Sequence, residues 1–161
     1  MSKEVMIIPA TEEHIDAICE ISIVAWTAIH KEYAKCLGDE IHDATSGNWQ
    51  EALCADITGV VREGRAFVSI YEGKVVGYCS YRLVEDIKMG VVGRNAVSPE
   101  ARGLGIGTKQ NDFIINKLRE FGMVYATVHT GLDDGHAAAR RAYEKAGFNK
   151  SVSSINYYMK L

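Results

Sequence analysis

Two prolines and four cysteines are few for a chain of 161 residues, and no apolar run approaches the length of a membrane span. Cys19, Cys36, Cys54 and Cys79 lie far apart, with no Cys-x-x-Cys or Cys/His ligand spacing, so a structural zinc site is not expected. Each falls among apolar or small neighbours and reads as a buried thiol in a reducing compartment. Charge of one sign is also lacking. Lys and Arg number 18 against 21 Asp and Glu, a net of −3, and the basic residues are scattered. That leaves no footprint for a nucleic-acid backbone. The opening Met1-Ser2-Lys3-Glu4-Val5-Met6-Ile7-Ile8-Pro9 breaks off before a secretory apolar region could form. With no internal repeat, low-complexity stretch or long linker, residues 1–161 read as one cytoplasmic domain with no membrane partner.

What is present is a regular alternation of patterns. Val5–Ile8 is a short β-rich run. Thr11-Glu12-Glu13-His14 opens a helix, with Thr11 as cap, His14 in the place of a box glutamate, and apolar helical spacing through Trp26, Ile29 and Tyr33. Gly38 to Gly47 reads as a polar break holding Asp39, Glu40 and Asp43, and a second helix is expected over Trp49–Arg62. Ala66–Tyr71 and Val75–Tyr81 form a hairpin about Glu72-Gly73-Lys74. Met89–Val97 is a strand, Leu104–Phe121 a helix, Val124–Thr130 a strand, His136–Ala146 a helix, and Ile155–Leu161 a last strand. This order implies an α/β chain whose mixed sheet carries helices on its faces.

The densest chemical signal is Val97-Ser98-Pro99-Glu100-Ala101-Arg102-Gly103-Leu104-Gly105-Ile106-Gly107-Thr108. A strand ends, Pro99 turns the chain, and three alternating glycines lead into a helix. Backbone N–H groups can converge there, and the helix start adds partial positive charge, so the segment suits a phosphate or pyrophosphate. Counted from Gly103, the third glycine of a dinucleotide fingerprint would fall on Thr108, and Gly107 precedes Thr108-Lys109 where a Walker loop needs Lys-Ser/Thr. Both of those loops are excluded by spacing.

Arg102-x-x-Gly105-x-Gly107 after Val97-x-Pro99 resembles the pyrophosphate loop of the GNAT superfamily of acyl-CoA N-acyltransferases. The resemblance extends to Ile7–Ile15, to Gly73-Lys74-Val75-Val76-Gly77-Tyr78, and to Ala139-x-x-x-Tyr143-Glu144-Lys145-x-Gly147-Phe148. It implies a twisted, mostly antiparallel mixed sheet of six to seven strands flanked by about four helices. It further implies acetyl-CoA as co-substrate, no metal, and transfer of the acetyl group to an amine. Ala96 and Val97 would then hold the pantetheine arm, and Arg102, Gly103, Leu104, Gly105, Ile106, Gly107 and Thr108 the pyrophosphate. His136, at a position usually asparagine in the family, and Ala139 would lie beside the cofactor. Tyr143 would act as general acid on the leaving thiolate.

Reference pKa values of ~10 and ~8.5 make proton transfer from a tyrosine to a thiolate uphill by about 2 kcal/mol, so Tyr143 either has a lowered pKa or donates a hydrogen bond. Many relatives carry a glutamate on the strand before the glycine loop, whereas Met89–Val97 has no acid. Glu85, Asp86 and His129 remain as bases, His129 first by its ordinary pKa near neutrality, with a water relay as the alternative. Trp26, His30 and Tyr33, with Trp49, fall on the helices that build the acceptor site in relatives, where they serve as either core or substrate contacts. A small-molecule amine is the expected acceptor and a protein amine the second choice. Homodimers are frequent among relatives. A sensor that binds acyl-CoA without transferring anything is the competing class.

Overall fold

The computed structural model describes residues 4–161; Met1-Ser2-Lys3, part of the N-terminal run read above, lie outside the described residues. The order is β1 (Met6–Pro9), α1 (Ile15–Leu37), α2 (Asp39–Ser46), α3 (Trp49–Arg62), β2 (Ala66–Tyr71), β3 (Lys74–Val84), β4 (Met89–Val97), α4 (Ile106–Glu120), β5 (Tyr125–Val128) and α5 (Ala137–Lys145). The strands form one sheet in sequence order, antiparallel from β1 to β4, with β5 added parallel to β4.

Period-two alternation in the central strands explains how the layers form. On β2 and β3, Val68 and Tyr78 turn to one face, where Ile18 of α1 and Leu53, Ile57 and Val61 of α3 cover them. Phe67, Cys79 and Tyr81 turn to the other face, against Ile114 and Leu118 of α4. Both faces are therefore buried, which is why these strands read as nearly continuous apolar runs. The hairpin between β2 and β3 turns on Glu72 and Gly73, with φ of 49° and 77°. Two successive positive φ values are what the right-handed twist of a hairpin favours.

Three expectations need correction. The polar break at Gly38–Gly47 contains a helix, α2: Gly38 takes φ 77° and makes the joint, and His42 is buried on the inner side. Ile155–Leu161 has the alternation of a strand but pairs with no strand, so among the described residues the sheet has five strands, not six or seven, and the α-helices number five. The four thiols are not all buried. Cys79 is, Cys19 and Cys54 are half-buried, and Cys36 is exposed in the last turns of α1. Among the described residues no helix is long and apolar enough to cross a membrane.

Candidate active site

The site is organised by β4. On one side β4 pairs with β3 as far as Gly77↔Val97, but on the other it pairs with β5 over Met89–Val92 alone. Beyond Val92 the two parallel strands part, and the backbone of residues 93–97 faces the gap. A register shift between Cys79 and Tyr81 of β3 marks a bulge in β4 at this point. Gly93 suits it, because a Cβ there would stand 2.4 Å from the Ser80 hydroxyl, which itself donates to the Arg94 carbonyl at 3.1 Å. Bulges of this kind re-aim side chains beside active sites.

From Val97 the chain passes through a tight turn at Pro99–Ala101 into the glycine loop. Gly103 and Gly105 have φ of 80° and 74°, and a Cβ at either would meet nothing within 4 Å. Backbone strain, not crowding, is what demands glycine at both. Gly105 caps α4, and among the described residues the N–H groups of Gly103 to Thr108 make no backbone hydrogen bond. Six donors at the positive end of a fifteen-residue helix, with Arg102 exposed beside them, form a cradle suited to a pyrophosphate.

Tyr143 of α5 is 8% exposed, its ring edge-on to Phe148 at 6.1 Å between centroids. Burial raises its pKa, and the nearby Asn95 side chain of β4 offsets this in part. The shift keeps the phenol protonated at neutral pH. Asn95 is in turn fixed by a 3.2 Å bond from its Nδ2 to Asn111 Oδ1 on α4. Ala139, one turn before Tyr143 on α5, is half-buried, while Ala96 is buried and Val97 half-buried at the end of β4.

A second feature, a cavity of about 310 Å³, is lined by Trp26, His30, Tyr33, Trp49, Arg94 and His136 among others. The three aromatic residues singled out on the first helix do come together there. His30 stacks on Trp49 with centroids 4.2 Å apart and planes 9° from parallel, and its Nδ1 lies 3.3 Å from His42 Nε2. Burial, then the neighbouring His42, lowers the His30 pKa. Tyr33 is raised by burial and then by the charges of Asp133 and Tyr158. Arg94 is ion-paired with Asp56 of α3 across the cavity wall.

His136 stands on the cavity wall, at the turn that starts α5. Its Nδ1 is 2.7 Å from Asp133 Oδ2. Burial works against the Asp133 carboxylate, but the His136 hydrogen bond and charge hold its pKa below the usual value. Arg140 pins the loop by donating to the carbonyls of Gly131 at 2.7 Å and Asp133 at 2.8 Å. The candidate bases named from the sequence lie elsewhere. His129 is exposed just past β5 and does not line the cavity. Glu85 and Asp86 are exposed at the entrance to β4, about 25 Å of strand from Val97. Asp39, Glu40 and Asp43 lie on the outer side of α2. Sequence reasoning missed Asp133, Arg94 and Asn95. Only Asp133 left a trace, an aspartate three residues before a histidine at a helix start.

The site thus joins a splayed parallel strand pair to a run of unpaired N–H groups at a helix start. The chain matches the Acetyltransferase (GNAT) family over residues 26–148, most of its length, and belongs to that family. Among solved structures it resembles AAC(6')-Iy in complex with a bisubstrate analog of CoA (TM-score 0.67, 12% identity, 98% of this chain and 99% of that one). It also resembles the PaiA N-acetyltransferase of Thermoplasma acidophilum in complex with coenzyme A (TM-score 0.70, 13% identity, 94% and 93%). A third is the aminoglycoside 6'-N-acetyltransferase AAC(6')-IG of Acinetobacter haemolyticus (TM-score 0.67, 13% identity, 97% and 99%). At such identities the likeness is one of fold. Comparison with curated protein sequences gives no match.

Proposed function

We propose that this protein is an N-acetyltransferase that moves the acetyl group of acetyl-CoA to the primary amine of a small molecule by direct attack on the thioester. One observation carries the reading. The last five residues of β4 join all the parts: Arg94 lines the cavity, Asn95 faces Tyr143, and Val97 leads into the cradle. Acetyl-CoA fits what is there, since the free N–H groups of residues 103–108 and the Arg102 guanidinium offer donors to a pyrophosphate. The unpaired edge of β4 at Ala96 and Val97 offers backbone groups to an amide-bearing arm.

Each step then has a residue. The cavity holds the amine and orients it toward the gap between β4 and β5, which removes much of the entropic barrier. An N–H of the open β4 edge stabilises the developing oxyanion, an effect worth about 10²–10³ in rate where a single donor is removed. His136, with Nδ1 committed to Asp133, keeps Nε2 as an acceptor for the amine proton. Tyr143 donates its hydrogen bond to the departing thiolate. The compact aromatic lining favours a small molecule over a protein segment as acceptor, and several of the solved neighbours bear names of aminoglycoside acetyltransferases.

The test compares wild type with an Arg102→Glu, Gly105→Asp double variant. Acetyl-CoA at a hundred times its Kd should add about 2.7 kcal/mol to wild-type stability, roughly 5–10 °C in Tm, and nothing to the variant. Amine-dependent release of free thiol should follow in wild type only. A folded wild type with no shift and no thiol release would refute the assignment. A shift without thiol release across a broad amine panel would favour an acyl-CoA sensor.

A further inference from the structure

The cavity beside β4 is short of acid. Its lining brings together the indoles of Trp26 and Trp49, the imidazoles of His30 and His136 and the guanidinium of Arg94, and among the described residues no carboxylate lines it. Arg94 is the one lining side chain that is charged at every working pH. His30 adds no charge at neutral pH, because burial and then His42 lower its pKa. Two carboxylates reach these cations without lining the cavity. Asp56, exposed on α3, pairs with Nη1 of Arg94. Asp133 has its Oδ2 bonded to His136 and its Oδ1 buried. An ammonium group entering the cavity therefore finds no free carboxylate there.

Arg94 owes its place to the bulge. Cys79 pairs with Asn95 and Tyr81 with Val92, so Gly93 and Arg94 together face the single residue Ser80. The extra residue re-aims the strand, and Arg94 lines the cavity while its neighbour Asn95 turns to Tyr143. Asp56 engages one nitrogen of the guanidinium, and among the described residues the other N–H groups make no hydrogen bond. The two partners are 44% and 50% exposed. A pair so exposed is worth about 0–1 kcal/mol, which leaves the guanidinium available to a second acid. Its planar fork of five N–H donors matches a carboxylate or a phosphate.

The rest of the lining describes the body of the ligand. Trp26, Ile29, Trp49 and Leu53 give the cavity apolar walls. The stack of His30 on Trp49, with centroids 4.2 Å apart, holds that indole in place. At about 310 Å³ the cavity stands at the small end of ligand pockets, so it suits one ring or a short apolar chain. The polar groups then divide between the two ends of such a molecule. Arg94 offers donors to an acid, and His136, with Nδ1 committed to Asp133, keeps Nε2 for an amine.

We propose that the acceptor is an amine that also carries an acid group and an aromatic or apolar body, the chemistry of an aromatic amino acid, and that Arg94 selects it by the acid. The inference rests on the acetyl-transfer reading for what the amine does in the cavity, but recognition of the acid is measured without transfer. Carboxylate and phosphate share the chemistry that a guanidinium fork reads, and probes of each kind separate them. The same charge rejects a polycation. Its second ammonium would meet Arg94 with no carboxylate to offset the repulsion.

Trp26 and Trp49 are the only tryptophans of the chain and both line the cavity, so quenching of intrinsic fluorescence reports its occupancy. The probes are phenylalanine, its phosphonate analogue, phenethylamine (no acid), hydrocinnamate (no amine) and spermidine. At least one of the two acid-bearing amines should bind about tenfold or more tighter than phenethylamine, with hydrocinnamate keeping part of that affinity. Arg94→Gln should remove the advantage and Arg94→Lys restore part of it. The tighter of phenylalanine and its phosphonate names the acid. Phenethylamine or spermidine binding as tightly as both overturns the proposal. So does an advantage that Arg94→Gln leaves unchanged, or a folded wild type that no acid-bearing probe quenches. If neither variant folds, the wild-type series decides. Thiol release from acetyl-CoA is read with the same amines. Selective binding without release keeps this inference and counts against the transferase reading; release with phenethylamine in preference to both acid-bearing amines does the reverse.

Discussion

At the residue scale, the proposed chemistry rests on two side chains, Tyr143 and His136. Tyr143 is buried and its pKa raised, so its proposed role is that of a hydrogen-bond donor. Tyr143→Phe should therefore cut kcat by about 10- to 100-fold while acetyl-CoA affinity, read by the Tm shift, changes less than twofold. An unchanged kcat would remove Tyr143 from the mechanism. His136 is the complementary case. Its imidazole is oriented by Asp133 and faces the amine cavity, so its proposed role is to accept a proton. His136→Asn should lower kcat/KM for an amine acceptor by about 10²-fold at neutral pH. Raising the pH should shrink that defect, because an amine already deprotonated needs no base. A defect that stays constant from pH 7 to 9.5 would mean that His136 positions and does not accept. Tyr143 was legible from its motif. The pairing of His136 with Asp133 was not, because the family pattern places asparagine there and spacing alone does not show where an imidazole points.

At the scale of elements, the junction of α1 with α3 links stability to the site. His30 of α1 lies flat on Trp49 of α3 and touches His42 of α2. Its pKa is lowered by burial and by His42. The sign follows from linkage: below the ordinary 6.5 the unfolded chain takes up a proton that the folded chain refuses. Stability should therefore fall as pH drops from 7 toward 5, and His30→Gln should flatten that part of the Tm–pH curve. Equal slopes in the two proteins would show that His30 is not what titrates. Element boundaries were readable where one period dominated. Ala66–Tyr71, Met89–Val97 and Trp49–Arg62 stand where their patterns put them. α2 was hidden because two glycines bracket a polar octapeptide, and only burial of His42 against its neighbours makes that segment a helix. Isolated helices so short are marginal, so tertiary packing decides them.

At the scale of the whole molecule, the sheet explains why the site lies where it does. Antiparallel pairing from β1 to β4 makes a rigid platform. A single parallel strand, β5, attached by four residue pairs, then leaves β4 half-free. That one change of strand direction opens the gap between cradle and cavity. The same short β5 stands at the edge of the sheet among the described residues.

The sequence by itself determined the layer order, the positive-φ glycine loop ahead of α4 and the place of Tyr143 on α5, because each depends on local periods, positive-φ demands or a short contiguous motif. Tertiary structure alone decided the meeting of Trp26, His30, Tyr33 and His136 about one cavity, the bulge that aims Arg94 and Asn95, and the fate of the tail. Those depend on which distant segments touch. A strand pattern such as Ile155–Leu161 specifies an ability to pair, and only the presence of a free edge supplies the partner.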